Sequence, residues 1–184
     1  MKRLPILALA ILTFASSAFS ANPYEIKKIQ PSAIFTPDAQ ASNYTKQKPR
    51  LQQWLEVEVE FQSTAEITDE LTFKYYVMLA GKVLTGEVTH MNILKGRDLY
   101  SVMYVSPHTL AKLLNNKPLT GAAIENAAVQ ILNKGQVVAE KSFKEAGRWW
   151  EKATPLSGMM YNKNETPFSP FLWDRYEELK PPVK

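Results

Sequence analysis

Between residues 51 and 143 the chain repeatedly alternates apolar and polar positions with period two, the spacing that sends successive side chains to opposite faces of a strand. In WLEVEVEF, Leu55, Val57, Val59 and Phe61 fall on one face and Glu56, Glu58 and Glu60 on the other. Residues 71–79 repeat the pattern with Leu71, Phe73, Tyr75, Val77 and Leu79, and residues 83–93, 99–105, 124–132 and 137–143 continue it. Turn chemistry separates these runs: a polar stretch over residues 62–70, Gly81-Lys82, Lys95-Gly96-Arg97-Asp98 and Asn133-Lys134-Gly135-Gln136. Short strands joined by tight connections predict an antiparallel sandwich or barrel.

Two places break the alternation with helix signals. Ser106-Pro107 offers an N-cap and a first-turn proline, and Leu110, Leu113 and Leu114 follow at i, i+3, i+4, which predicts a helix over residues 107–115. Ser169-Pro170 repeats the signal and predicts a terminal helix over residues 170–179. Ahead of the main pattern, residues 24–29 read as an edge strand and residues 40–48 as a polar connector with little apolar surface to offset ordering entropy.

The first residues read differently. Lys2 and Arg3, an apolar run over residues 4–14 and Ala18-Phe19-Ser20 before Ala21 form the pattern of a cleavable secretory signal. The run is shorter than the ~20 residues of a membrane-spanning helix, so no transmembrane segment is expected after leader removal. With no cysteine in the chain, a lipid anchor on that residue and disulfide staples are both excluded. Loss of Lys2 and Arg3 leaves 20 basic against 18 acidic residues, so the formal charge falls from +4 to +2. No dense basic stripe interleaved with aromatics remains, which argues against nucleic acid as a partner. The expected organisation is a signal peptide at 1–20, an N-terminal strand and connector at 21–50, a sandwich at 51–147, and a tail at 148–184 that packs on the domain or on a partner.

Candidate chemistry is sparse. His90 and His108 have no partner at metal-binding spacing, so surface or capping roles are expected and no metal or cofactor is assigned. Glu56, Glu58 and Glu60 share a strand face about 7 Å apart in succession, which reads as a solvated surface partly neutralised by Lys74 across the sheet. No G-x-S-x-G elbow, phosphate loop or dinucleotide fingerprint is present, so no catalytic residue is assigned. The aromatic tail holds what binding potential there is. Trp149 and Trp150 would point to opposite faces if extended, placing at most one in the core and leaving the other for contact. Trp149, Trp150, Tyr161 and Trp173 are accordingly the candidate interaction residues.

Taken together, the strings WLEVEVEF, ELTFKYYVML, LTGEVTHMNI and LYSVMYVSPHTLAKLL resemble the small exported proteins encoded beside type IV pilus-like genes in Akkermansia-type Verrucomicrobia. The similarity spans residues 51–114 and continues through residue 143. It implies an all-β fold, an immunoglobulin-like antiparallel β-sandwich with a short inserted helix and a C-terminal aromatic tail or helix. It also implies an envelope or pilus-associated role without a catalytic motif, and it supplies no residue-level site. The expected function is a non-enzymatic envelope protein acting through protein–protein contacts in the periplasm or at the cell surface. Pilus-like or envelope proteins, or a second copy of the chain, are its expected partners. The alternative is a carbohydrate-binding adhesin whose exposed tryptophans stack on host mucin glycans.

Overall fold

Two long strands carry the architecture of the computed structural model, which describes residues 22–37, 52–172 and 174–181. The expected leader, the connector at 40–48 and Trp173 lie outside the described residues. β2 (Gln53–Leu79) and β3 (Lys82–Val105) pair antiparallel from Leu55 opposite Val105 to Leu79 opposite Lys82. Between them Ala80 and Gly81 both adopt positive φ, 49° and 69°, as a two-residue hairpin turn matched to strand twist requires.

The expected turn over residues 62–70 and the expected hairpin at Lys95-Gly96-Arg97-Asp98 are corrected by this pairing. Both stretches remain strand and lie against each other, with Ser63 opposite Gly96 and Ile67 opposite Leu94. Their polar composition serves a bend. The register slips between Phe61 and Ser63 and again between Ser63 and Ile67, and such bulges kink a ribbon and increase its twist. The ribbon folds over on itself, bringing the Phe61 and Phe73 rings to 4.8 Å. Leu55, Val57, Val59 and Phe61 from one half thereby share a core with Leu71, Phe73, Tyr75, Val77 and Leu79 from the other. Each fully buried side chain of this kind contributes about 1.5–3 kcal/mol over its exposed state.

The two layers therefore share their central strands. One layer is β1 (Tyr24–Phe35), the first half of β2, the end of β3, and β6 (Met160–Asn162). The other is β5 (Gln136–Ser142), β4 (Ile124–Asn133), the second half of β2 and the start of β3. The β4–β5 turn falls where its sequence predicts, with Lys134 and Gly135 at φ 49° and 79°. Lys141 of β5 closes one side by donating to the carbonyls of Ile26 (3.2 Å) and Lys27 (2.7 Å), where β1 carries its own bulge. Gly86 permits close approach on the other side: a Cβ there would stand 2.7 Å from both Met103 Cε and Met160 Cβ.

β1 is twice the expected length. Thr36 N–H donates to Gln52 O (2.9 Å), so antiparallel alternation turns the nitrogen of Pro31 away from β2, where a missing N–H costs no ladder bond. The predicted inserted helix is present as α1 (Pro107–Leu113), with Ser106 Oγ accepting from Thr109 N–H. Among the described residues of 170–179 the predicted helix is absent. In its place the backbone pairs with β3: Glu177 N–H donates to Tyr100 O, Met91 N–H to Glu178 O and Lys180 N–H to Thr89 O. A vacant sheet edge nearby outweighs the local N-cap signal, since it satisfies the same backbone groups while placing Leu179 against the core.

Candidate functional site

After β5 the described residues, 143–172 and 174–181, form a strap over the outer surfaces of both layers. On the second layer, a 3-10 helix at Trp149–Lys152 lays both tryptophans on Tyr76, Met78, Val83 and Ala128. Trp150 stacks on Tyr76 at 4.8 Å, and Trp149 meets Trp150 edge-on while its Nε1–H donates to Ser142 Oγ (3.3 Å). Trp149 is 6% exposed and Trp150 4%. The expectation that at most one of them is buried assumed extended backbone; a 3-10 turn advances about 120° per residue and lets neighbours face one surface.

On the first layer the strap is held differently. Phe168 stacks on Tyr104 (4.9 Å) and meets Trp54 edge-on (5.6 Å), with Val102, Ile34 and Tyr176 around it. Beside this patch Arg175 grips Glu58 in a two-pronged ion pair, Nε to Oε2 at 2.7 Å and Nη2 to Oε1 at 2.6 Å, and Tyr176 Oη donates to Glu58 Oε2 at 2.9 Å. Burial pushes the Glu58 carboxyl up, but the bonds from Arg175 and Tyr176 outweigh it and hold the group below its ordinary value. At Glu56 burial, reinforced by the Glu58 charge, raises the carboxyl instead. The acidic strand face is thus a docking strip for the strap, and the expected neutralisation by Lys74 is corrected: Lys74 pairs with Glu87 at 2.9 Å.

Beneath the strap runs a buried polar line that sequence reading missed. Tyr75 Oη donates to Ser101 Oγ (2.7 Å), and Ser101 Oγ lies 2.7 Å from His90 Nε2. His90 Nδ1 lies 3.0 Å from the carbonyl of Glu177, which can only accept. That bond fixes the proton on Nδ1, so Nε2 accepts from Ser101 and every member is satisfied by a neutral imidazole. Burial drives the His90 pKa down from 6.5 to about 4, against the opposing effect of its backbone bonds. His90 is 1% exposed and Ser101 0%. A serine–histidine pair so enclosed, with the imidazole bound to a main-chain carbonyl, works as a clamp on the strap. The expected surface role for His90 is corrected; its only sequence signal was its phase with the inward-facing Val88. His108 is exposed in the first turn of α1.

A cavity of about 510 Å³ lies between strap and sheet, lined by His90, Val102, Lys163, Ser169, Tyr176 and Glu177 among others. Lys163 is buried in its wall, donates to Leu172 O (3.3 Å), and is held below its usual pKa by desolvation. Of the four candidate interaction residues, Trp149 and Trp150 sit together on the second layer and Tyr161 is half-buried in β6 opposite Tyr104. Trp173 is outside the described residues. The structure does not gather the first three into one site.

A family model for pilus-associated proteins matches residues 15–182. The chain belongs to that family. The family is one of pilus-associated structural proteins and not a known enzyme family. A crystal structure of a protein from Akkermansia muciniphila superposes with a TM-score of 0.76 at 24% sequence identity, over 87% of this chain and 94% of that one. At that identity the likeness establishes the fold, an all-β sandwich. No curated protein matches the sequence. Among the described residues of this family member, no helix is long and apolar enough to cross a membrane, and no cluster of His, Cys, Asp or Glu is arranged to hold a metal ion.

Proposed function

We propose that the protein is a non-enzymatic envelope component that acts by protein–protein contact within or beside a type IV pilus-like assembly. Family membership supports the setting, and the distribution of open sheet edge supports the mode. Along β3 the outward backbone groups of Val83 and Thr85 bond Leu156, those of Thr89 and Met91 bond residues 178–180, and the end of the strand pairs with β6. On that side the chain covers its own edge in stretches, on either side of Glu87.

β1 offers the contrasting edge. Past Pro31 its backbone at Ala33 and Phe35 faces away from β2, and the Phe35 side chain is 58% exposed at the end of the strand. A partner strand can add there through main-chain bonds, with Phe35 as its apolar anchor, while Pro31 blocks extension further along the edge. The carbohydrate reading needs an open indole face; Trp149 and Trp150 are covered by their own domain and Trp54 packs on Phe168, which leaves that reading to Trp173, outside the described residues.

Crosslinking in intact cells followed by purification tests the proposal. Wild-type protein should capture pilus-like components, and Phe35→Asp should lose most of that capture while keeping the wild-type melting profile. Recovery of wild-type protein without any envelope partner would sink the reading.

A further inference from the structure

We propose that residues 174–181 can be exchanged between two copies of this chain, each copy's segment docking on the β3 edge and Glu58 strip of the other. This deepens the contact reading above by naming one partner, a second copy, and rests on that reading only for its cellular setting.

Three observations carry it. First, the segment is held almost wholly by the body of the sandwich. Arg175 and Tyr176 bond Glu58, the Glu177 carbonyl accepts from His90, Glu178 O accepts from Met91 N–H, and Glu178 Oε2 accepts from Asn92. Lys180 donates to Thr89 O through its backbone and to Glu70 (2.5 Å) through its side chain. All of these partners lie on β2 or β3, so the same set forms unchanged when the segment arrives from another molecule, the condition under which exchange is thermodynamically cheap.

Second, the connection into the segment is strained. Leu172 sits at φ 56°, the left-handed region that a branched, bulky residue seldom occupies. Its carbonyl is held there by bonds from Lys163 Nζ and Arg175 N–H, each 3.3 Å. Straightening at Leu172 relieves that conformation, and short strained connections favour swapped over closed forms.

Third, the strained connection displays apolar surface. Phe171 is 42% exposed and Leu172 56%. In the closed chain these side chains face water. In an exchanged pair the two extended connections run side by side about the two-fold axis, and those side chains acquire each other as cover.

The absence of cysteine makes a clean test available. Met91 and Glu178 are opposed across the strand pairing, their backbones joined at 2.9 Å, and opposed strand residues stand at a separation a disulfide can span. A Met91→Cys chain and a Glu178→Cys chain would be mixed at high concentration, incubated near the unfolding midpoint, returned to native conditions and oxidised. Only exchange brings the two cysteines together. The expected result is a disulfide-linked heterodimer on a non-reducing gel, several-fold above a control pairing Met91→Cys with Lys134→Cys. Heterodimer no more abundant than that control, with the Met91→Cys/Glu178→Cys double variant closing its bond internally, would overturn exchange. Adding Leu172→Gly to both chains should reduce the heterodimer several-fold, and an unchanged yield would remove Leu172 as the hinge. Because the assay uses purified chains alone, its failure leaves capture of envelope partners unaffected, and failure of that capture leaves this result unaffected.

Discussion

The two outer faces of the sandwich are covered by one strap through opposite physics. Over the second layer the cover is apolar: Trp149 and Trp150 seated on Tyr76, Met78, Val83 and Ala128. Over the first layer an apolar patch around Phe168 adjoins a polar clasp of Glu58, Arg175 and Tyr176, which continues onto the neighbouring β3 edge through His90 and the Glu177 carbonyl. Burial of indoles is indifferent to pH and salt. A clasp built on an ion pair and a neutral buried imidazole depends on both. The comparison teaches that one end of the strap is a permanent part of the fold and the other is conditional, as a segment that can change partners must be.

The largest effect should come from the permanent end. Trp150→Ala removes a buried ring stacked on Tyr76 and should cost about 3–5 kcal/mol, seen as a lower urea midpoint that hardly varies between pH 7 and pH 5. A smaller but pH-dependent effect belongs to His90. Its pKa is lowered from 6.5 to about 4 in the folded chain, so between these values the unfolded chain takes up the proton more readily. The stabilising contribution is complete above pH 6.5 and is lost as pH falls towards 4, up to about 3 kcal/mol in all. Urea melts from pH 7 to pH 4 should show this slope, and His90→Gln should flatten it.

Next comes Glu58→Gln, which weakens the two-pronged grip on Arg175. With the Arg175 side chain 40% exposed, about 1 kcal/mol is expected, diminishing in high salt and read as faster exchange of the Met91 amide. Lys180→Ala should be smallest, within about 0.5 kcal/mol, since its pair with Glu70 is solvent-facing on both sides. If Glu58→Gln proved as damaging as Trp150→Ala, the distinction between the two ends would fail.

The alternation at Leu55, Val57, Val59 and Phe61, and at Leu71 through Tyr75 to Leu79, was legible because each inward position meets the same core and the period never slips within a run. The turns at Ala80-Gly81 and Lys134-Gly135 were legible because positive φ demands particular residues. The corner was not. A bulged bend and a turn call for the same polar and glycine residues, and only pairing of Ser63 with Gly96 across the ribbon distinguishes them. The strap was misread for a related reason: Ser169-Pro170 is a sound local helix signal, but the open β3 edge that competes for residues 177–180 is distant in sequence. His90 was visible as an in-phase position, but its partners Ser101 and Glu177 meet it only after the ribbon has folded.

The central claim is that the strap covers the β3 edge in stretches in the chain's own fold and that its far end is held conditionally. Amide hydrogen exchange along β3 tests it most directly. The Thr85 and Met91 amides donate to Leu156 O and Glu178 O, whereas the intervening Glu87 amide faces the same side with no strap carbonyl among the described residues. After correction for intrinsic rates, Thr85 and Met91 should both be protected at pH 7 relative to Glu87, and Met91 alone should lose protection as the pH falls to 4.5. Equal, fast exchange at all three positions at pH 7 would contradict the account, as would protection of Met91 that survives at pH 4.5 undiminished.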